Sequence, residues 1–261
     1  MSPRATNRTI SVVIPCYNDA QLLRRCLASF AAQIVPADEV IVVDNGSTDD
    51  SAAVAWAAGV RVVHEPRRGI TWATRTGFDS ATGDVLLRTD ADVVARPDFI
   101  ARLHAAWDAA EASQGRRVVG VSGSGRFELP RPLGWLASAL YLGAYRLSVG
   151  AALGHPPFFG TNYSVRADWW RQVRDRVDLT DTFVHEDIQL SFAVRPHETV
   201  RFQRDLVLPM NPRALRGARQ LVVRFQRGFH TIFSNWRIQP PHRRLAERGR
   251  LGPRLQRMLN A

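Results

Sequence analysis

The residues best suited to chemistry in this sequence are carboxylates, and they come in short clusters. Asp90 and Asp92 flank a single alanine, Asp44 and Asp49 enclose Asn45, Gly46, Ser47 and Thr48, Asp19 closes a stretch that begins at Pro15 and includes Tyr17, and Glu186 adjoins Asp187. Hard cations such as Mg²⁺ and Mn²⁺ take oxygen ligands, usually one or two carboxylates completed by phosphate and water, so Asp90 and Asp92 offer a metal site. A positioned carboxylate can also remove a proton from a nucleophile, which makes the Glu186, Asp187 pair a candidate for base chemistry. Each cluster taken singly also reads as a turn or a helix cap, because Asp, Asn and Gly are turn formers. His185 is a lone histidine beside an acidic pair and is left out of the metal set.

Strands and helices alternate around these groups. Residues 9–14 are a β-branched run closed by Pro15, 19–32 have helical spacing, and 40–43 repeat the strand pattern before an Asn45, Gly46 turn with Ser47 or Thr48 as the next helix cap. Residues 60–64 form a third strand, 71–80 a helix and 84–89 a fourth strand, and Pro97 opens a helix that runs to Glu111. Apolar strands alternating with helices predict an α/β fold, with a mostly parallel sheet covered on both faces. Open sheets of this kind bind ligands at the carboxyl ends of their strands. The Pro15, Asp44 and Asp90 clusters each follow a strand directly and so share one edge, which the turn-residue reading does not explain.

In order and spacing these segments resemble the family 2 glycosyltransferases of the GT-A (Rossmann-like) fold over roughly residues 9–200. The resemblance rests on Ile14, Pro15, Tyr17 and Asn18, on Val43 through Asp49, on Gly69 through Gly77 in part, on Gly83 and Asp84 followed by Asp90 and Asp92, and on Gly160, Thr161, Asn162, Glu186 and Asp187. It implies an inverting transfer from a nucleotide-sugar, with Asp92 as direct ligand of Mn²⁺ or Mg²⁺ and Asp90 on the ribose or metal-bound water. It also implies that Asp44, Pro15 and Tyr17 contact the base, which a carboxylate acceptor would bias to a UDP-type donor. Arg75 fills the arginine position beside them, although Thr76 replaces its usual asparagine partner. Gly160 and Asn162 approach the sugar or acceptor, Asp187 is the base, and Glu186 positions the acceptor or the base. A divalent ion suits this chemistry because a diphosphate leaving group gains negative charge as the glycosidic bond breaks.

Composition sets the frame. With 261 residues, 45% of them hydrophobic, the chain can bury a sizeable core. Cys16 and Cys26 make no disulfide framework and read as packing residues. The first ten residues hold no apolar run of signal-peptide length, so the expectation is a cytoplasmic protein. The net charge of +11 is localised: residues 1–212 balance 23 arginines with 23 acidic residues, whereas 213–261 set twelve arginines against Glu247 alone. The sequence therefore divides into a GT-A catalytic domain over 1–212, its nucleotide-binding part about 9–127 and its acceptor part about 128–212, and a basic helical tail over 213–261.

Within that tail, apolar residues at Leu215, Ala218, Val222, Phe225, Phe229, Ile232 and Trp236 form one stripe of a basic amphipathic helix. Such a helix suits an anionic membrane surface, and with it a glycan or lipid-linked acceptor of the cell envelope and a peripheral position at the inner face of the cell membrane. Residues 132–154 are apolar but interrupted by Arg146, too short a clean run for a membrane span. The tail lacks the Gln-x-x-Arg-Trp spacing associated with processive synthases. A sugar nucleotidyltransferase is the rival enzyme, but it needs a Gly-rich basic loop after the first strand, where Pro15 to Ala20 stand instead. A nucleic-acid-binding module working through the tail is the rival from another class, and a carboxylate-rich cleft speaks against it.

Overall fold

A computed structural model describes residues 8–130, 132–178, 181–215 and 218–251, with backbone only at 214, 215 and 218–221. In its first half β1 (Ile10–Cys16), β2 (Glu39–Asp44), β3 (Arg61–His64) and β4 (Val85–Thr89) alternate with α1 (Ala20–Ala31), α2 (Ser51–Ala57), α3 (Ile70–Ser80) and α4 (Phe99–Glu111). There follow β5 (Arg117–Phe127), α5 (Leu133–Leu153), β6 (Asn162–Arg166), α6 (Ala167–Val173), α7 (Glu186–Phe192), β7 (Glu198–Met210), α8 (Ala218–Ile238) and α9 (Pro241–Glu247). Seven strands make one sheet in the order β3-β2-β1-β4-β6-β5-β7. β6 is antiparallel to both neighbours and the remaining pairs are parallel, so the sheet is mixed with a parallel majority.

β1, β4 and most of β2 are buried on both faces because alternate side chains feed two cores. Val12 and Ile14 join Leu23, Leu27, Phe30, Leu103 and Trp107 from α1 and α4. Val13, Ile41 and Val43 join Phe78, Trp169, Trp170 and Leu190 from α3, α6 and α7. Pro15 is tolerated inside β1 because the register with β4 ends at Val13, leaving only β2 alongside. Cys16 and Cys26 are free and buried, and burial pushes the Cys16 thiol up to about 11, which suits packing residues.

Three local expectations need correction. Ser47 and Thr48 do not cap α2, which begins at Ser51; they clasp the β1 loop instead, with Asn18 N donating to Ser47 Oγ and Thr48 N to Asn18 Oδ1. The segment around Arg146 is not a short interrupted run but the 21-residue helix α5, long and apolar enough to cross a membrane by length and composition. The helix continues through Arg146 because arginine is a good helix former, and its guanidinium lies over the Phe202 ring, 4.1 Å from its centroid.

The tail, finally, is not a single basic patch. Arg244 and Arg248 are buried, donating to the carbonyls of Leu153, Ser191 and Phe192 and of Val194, Arg195 and Glu198. Of the apolar stripe, Ile232 and Trp236 pack on α5 and α7, while Val222, Phe225 and Phe229 are exposed. Leu215 and Ala218 have no described side chain, and Arg254 and Arg257 lie outside the described residues.

Candidate active site

The parallel register aligns the carboxyl ends of β1, β2 and β4, with Cys16 opposite Asp44, and so brings the three acidic loops to one edge. β6 then delivers a fourth group from the other direction. Its antiparallel pairing places Asn162 opposite Thr89 and Tyr163 opposite Arg88, so the loop before β6 meets the end of β4. The result is a cavity of about 670 Å³ whose lining includes Arg88, Asp90, Asp92, Gly160, Glu186 and Asp187.

Arg88 is the hub of this cavity, and it stood unnoticed in a strand that otherwise reads as apolar. It is buried; its Nη1 donates to Asp90 Oδ1 at 2.6 Å and to the Gly160 carbonyl, and its Nε faces Glu186 Oε2 at 3.9 Å. Burial alone would weaken its hold on the proton, but the charges of Asp90 and Glu186 outweigh it and keep the guanidinium charged. The detectable signal was a charged residue inside Val85–Thr89, since arginine is almost never fully buried without a partner.

The two metal candidates differ in their surroundings. Asp90 has both oxygens engaged, Oδ1 by Arg88 and Oδ2 by Thr161 Oγ1 at 2.7 Å. Burial pushes its carboxyl up, but the Arg88 charge and these hydrogen bonds hold it below the ordinary value. Asp92 is pushed up to about 6 by burial and by the charge of Asp90, partly offset by Arg213. Arg213 Nε lies 2.8 Å from Asp92 Oδ2, while its Nη1 and Nη2 grip Asp19 at 2.6 and 2.8 Å. Two partly buried carboxylates whose charge calls for a cation, Asp90 met by Arg88 and Asp92 by Arg213, fit a hard divalent ion that takes its remaining ligands from phosphate and water. Among the described residues no group of three or more His, Cys, Asp or Glu stands ready for a metal, so such an ion would depend on those outside ligands.

On the opposite wall, α7 starts at Glu186. Asp187 Oδ2 accepts from Gly160 N at 2.7 Å and lies 3.0 Å from Tyr145 Oη, and its Oδ1 accepts from Ile188 N at 2.9 Å. The glycine permits this approach, since a Cβ on Gly160 would lie 3.1 Å from Asp187 Oδ2. Glu186 is buried against Tyr163 Oη, and burial pushes its carboxyl up to about 7 against the pull of Arg88, with the charge of Asp187 adding to the rise. His185 Nε2 sits 2.9 Å from the Arg224 carbonyl and ties α7 to α8.

The remaining expected residues divide. Asp44 accepts from Ser47 N at 3.0 Å and lies 3.4 Å from His64 Nδ1, and Pro15 and Tyr17 sit on the adjoining strand end. Arg75 is not with them. It lies on the α3 face towards α6, paired with Asp175 at 2.9 Å and with Asp79 one turn on. Arg68 does reach this edge, stacked 3.3 Å from the Tyr17 ring centroid and donating to Asn45 O at 3.0 Å. Asn162 is likewise not at the cavity: it is fully buried, and its Nδ2 donates to Ser124 O and Leu206 O, both at 2.9 Å. Strand alternation sends Thr161 towards Asp90 and Asn162 to the other face, where Gly123 makes room for the carboxamide.

Comparison with known proteins bears on the family and the fold. Residues 11–170 match the family model described as Glycosyl transferase family 2. An undecaprenyl-phosphate 4-deoxy-4-formamido-L-arabinose transferase of Sodalis glossinidius is 39% identical over 105 residues, 36% of this chain and 32% of that protein. The chain thus spans about a third of the length of the curated relatives it matches. A mannosyltransferase of Pyrobaculum calidifontis, solved with GDP-Man and Mn²⁺, superposes with a TM-score of 0.61 at 20% identity, covering 98% of this chain and 79% of its own. Glucosyl-3-phosphoglycerate synthase of Mycobacterium tuberculosis, solved with Mn²⁺, UDP and phosphoglyceric acid, does so with a TM-score of 0.58 at 21% identity, covering 88% and 78%. At these identities the structural likeness is one of fold.

Proposed function

The chain belongs to glycosyl transferase family 2, and from that premise we propose a metal-dependent, inverting transfer of one sugar from a UDP-type nucleotide-sugar to a hydroxyl of a membrane-associated acceptor. One observation carries the reading: Asp90 and Asp92 on one wall and Asp187 on the other open onto the same cavity, joined through Arg88 and Gly160. Asp92 and Asp90 would hold Mn²⁺ or Mg²⁺, which when bound supplies positive charge to the diphosphate leaving group. Asp187 takes the hydroxyl proton as the acceptor oxygen bonds to the anomeric carbon and the nucleoside diphosphate departs with the electron pair of the broken bond. Gly160 N and Tyr145 Oη hold that carboxylate in place, and Glu186 positions it through Arg88. Asp44, Pro15 and Tyr17 take the base, with Arg68 in the role first given to Arg75.

The acceptor half of the cavity favours an amphiphile. Leu140 and Tyr141 of α5 and Phe225 and Phe229 of α8 form apolar walls, and Arg224 and Arg227 lie in the same lining as Asp187. Outside it, α5 exposes Leu133, Trp135, Leu136 and Leu147 and α8 exposes Val222 and Phe233, which supports a peripheral place on the cytoplasmic face of an anionic membrane and a lipid-linked or cell-envelope acceptor. The Sodalis relative bears the name of a lipid-phosphate transferase, in keeping with that acceptor class.

A screen of nucleotide-sugars for Mn²⁺-dependent hydrolysis and transfer tests the whole reading. Asp92→Ala should lose the metal dependence with the fold intact, and Asp187→Asn should keep nucleotide binding and lose transfer. Full turnover in either variant removes the corresponding role. Flotation with anionic vesicles, set against DNA retention at several salt concentrations, tests the surface; stronger retention on DNA would overturn the membrane reading.

A further inference from the structure

Arg213 stands in the short turn Pro212–Leu215 after β7, outside every motif of the sequence, yet it reaches two of the loops at the carboxyl edge of the sheet. Its grip on them is unequal. On Asp19 it makes a forked pair, Nη1 to Oδ1 at 2.6 Å and Nη2 to Oδ2 at 2.8 Å, whereas on Asp92 it makes a single Nε contact of 2.8 Å. A forked guanidinium–carboxylate pair is both stronger and more directional than one N–H···O bond. The Asp19 end is therefore an anchor and the Asp92 end is the exchangeable contact.

We propose that Arg213 is a donor-site residue that neutralises Asp92 while the donor is absent and exchanges it for a diphosphate oxygen when a divalent ion takes that carboxylate. The inference rests on the reading of Asp92 as a metal ligand. Asp90 already has Arg88 and Thr161 on its two oxygens, so Asp92 is the carboxylate of the pair that lacks a permanent partner inside the sheet. Arg213 supplies a temporary one. A cation arriving at Asp92 meets both the N–H that occupies Oδ2 and the repulsion of the guanidinium charge. The incoming diphosphate removes that conflict, because it offers Arg213 an anionic oxygen next to its anchor and leaves no charge unpaired.

This exchange predicts effects of opposite sign on two equilibria. In Arg213→Gln, Mn²⁺ alone should bind about tenfold tighter, and UDP in the presence of saturating Mn²⁺ about tenfold weaker, each the equivalent of one net charge-assisted hydrogen bond. Arg213→Lys, which keeps the charge without the fork, should fall between. Isothermal titration calorimetry, with the free Mn²⁺ signal in electron paramagnetic resonance as a second readout, gives both constants without turnover. The Arg213 side chain is 45% exposed, so the variants should fold, and a thermal melt checks it. Unchanged or weaker Mn²⁺ binding in Arg213→Gln, or unchanged UDP binding, overturns the exchange while leaving Asp92 as ligand. A wild-type protein that takes up no Mn²⁺ with or without UDP, indistinguishable from Asp92→Ala, removes the metal reading and this inference with it.

Discussion

Replacing Arg88 with methionine keeps most of the side-chain volume and removes the cation on which both walls of the cavity converge. In the wild type, Arg88 Nη1 is 2.6 Å from Asp90 Oδ1 and Nε is 3.9 Å from Glu186 Oε2. At an effective dielectric of about 20 the longer pair alone corresponds to roughly 4 kcal/mol of attraction, set against the desolvation already incurred by both partners. Removing one member of such a set typically costs about 3–5 kcal/mol, because Glu186 stays buried without its counter-charge, while Asp90, its side chain 35% exposed, is partly screened by solvent. For a chain of this size the melting temperature should fall by roughly 6–20 °C. The pH dependence separates this from simple loss of packing. Asp90 has a folded pKa below its ordinary value, so its contribution is present above that ordinary value and is lost as pH falls through the folded one. Without Arg88 its folded pKa rises instead, and the contribution becomes a penalty that protonation relieves. Urea unfolding at pH 8 and pH 5 should therefore show a larger deficit at pH 8. A deficit below about 1 kcal/mol, or one equal at both pH values, would refute the assignment of Arg88 as the electrostatic hub.

Glu186→Gln should flatten the pH dependence of stability. With a folded pKa of about 7 against an ordinary value of 4.5, wild-type Glu186 binds its proton more tightly when folded, so the protein loses up to about 3 kcal/mol between pH 4.5 and 7; an unchanged profile in the variant would discount the burial argument. Arg68→Ala should weaken UDP binding several-fold, the scale of a cation–π contact, while Arg75→Ala should leave it within twofold, and fluorescence titration distinguishes the two. Arg244→Met should cost about 2–4 kcal/mol in urea unfolding by leaving the carbonyls of Leu153, Ser191 and Phe192 without their donor, yet leave vesicle flotation unaltered. Loss of flotation in that variant would mean that Arg244 serves the surface after all.

Much of the sheet edge that carries the acidic loops could be read from the sequence because it is written in local patterns. Short β-branched runs set the first four strands, and a parallel sheet necessarily gathers the loops at their carboxyl ends, so Asp44, Asp90 and Asp92 share an edge whatever the rest of the chain does. That Glu186 and Asp187 open a helix was legible for a related reason, since an acidic pair at the start of a short helix is a local feature. Arg75 misled because a helix turns about 100° per residue, and a motif position does not say which face meets the pocket. Asn162 misled because a strand alternates, so that its neighbour Thr161 reached Asp90 instead.

Local patterning fixes the chemistry available and the edge at which it collects, because hydrophobic period and turn residues act over a few positions. Which cation meets which carboxylate was decided by tertiary structure alone. Arg88 becomes a hub because antiparallel β6 brings Gly160 to it and α7 brings Glu186, and Arg213 reaches Asp19 and Asp92 across long sequence separations. The twelve arginines of the tail looked alike in sequence, yet Arg244 and Arg248 are buried on carbonyls, Arg213 pairs with Asp19 and Asp92, and Arg224 lines the cavity. Composition fixes how much charge a segment carries, but long-range packing fixes whether each charge is desolvated, paired or left to solvent, and that sets what it does.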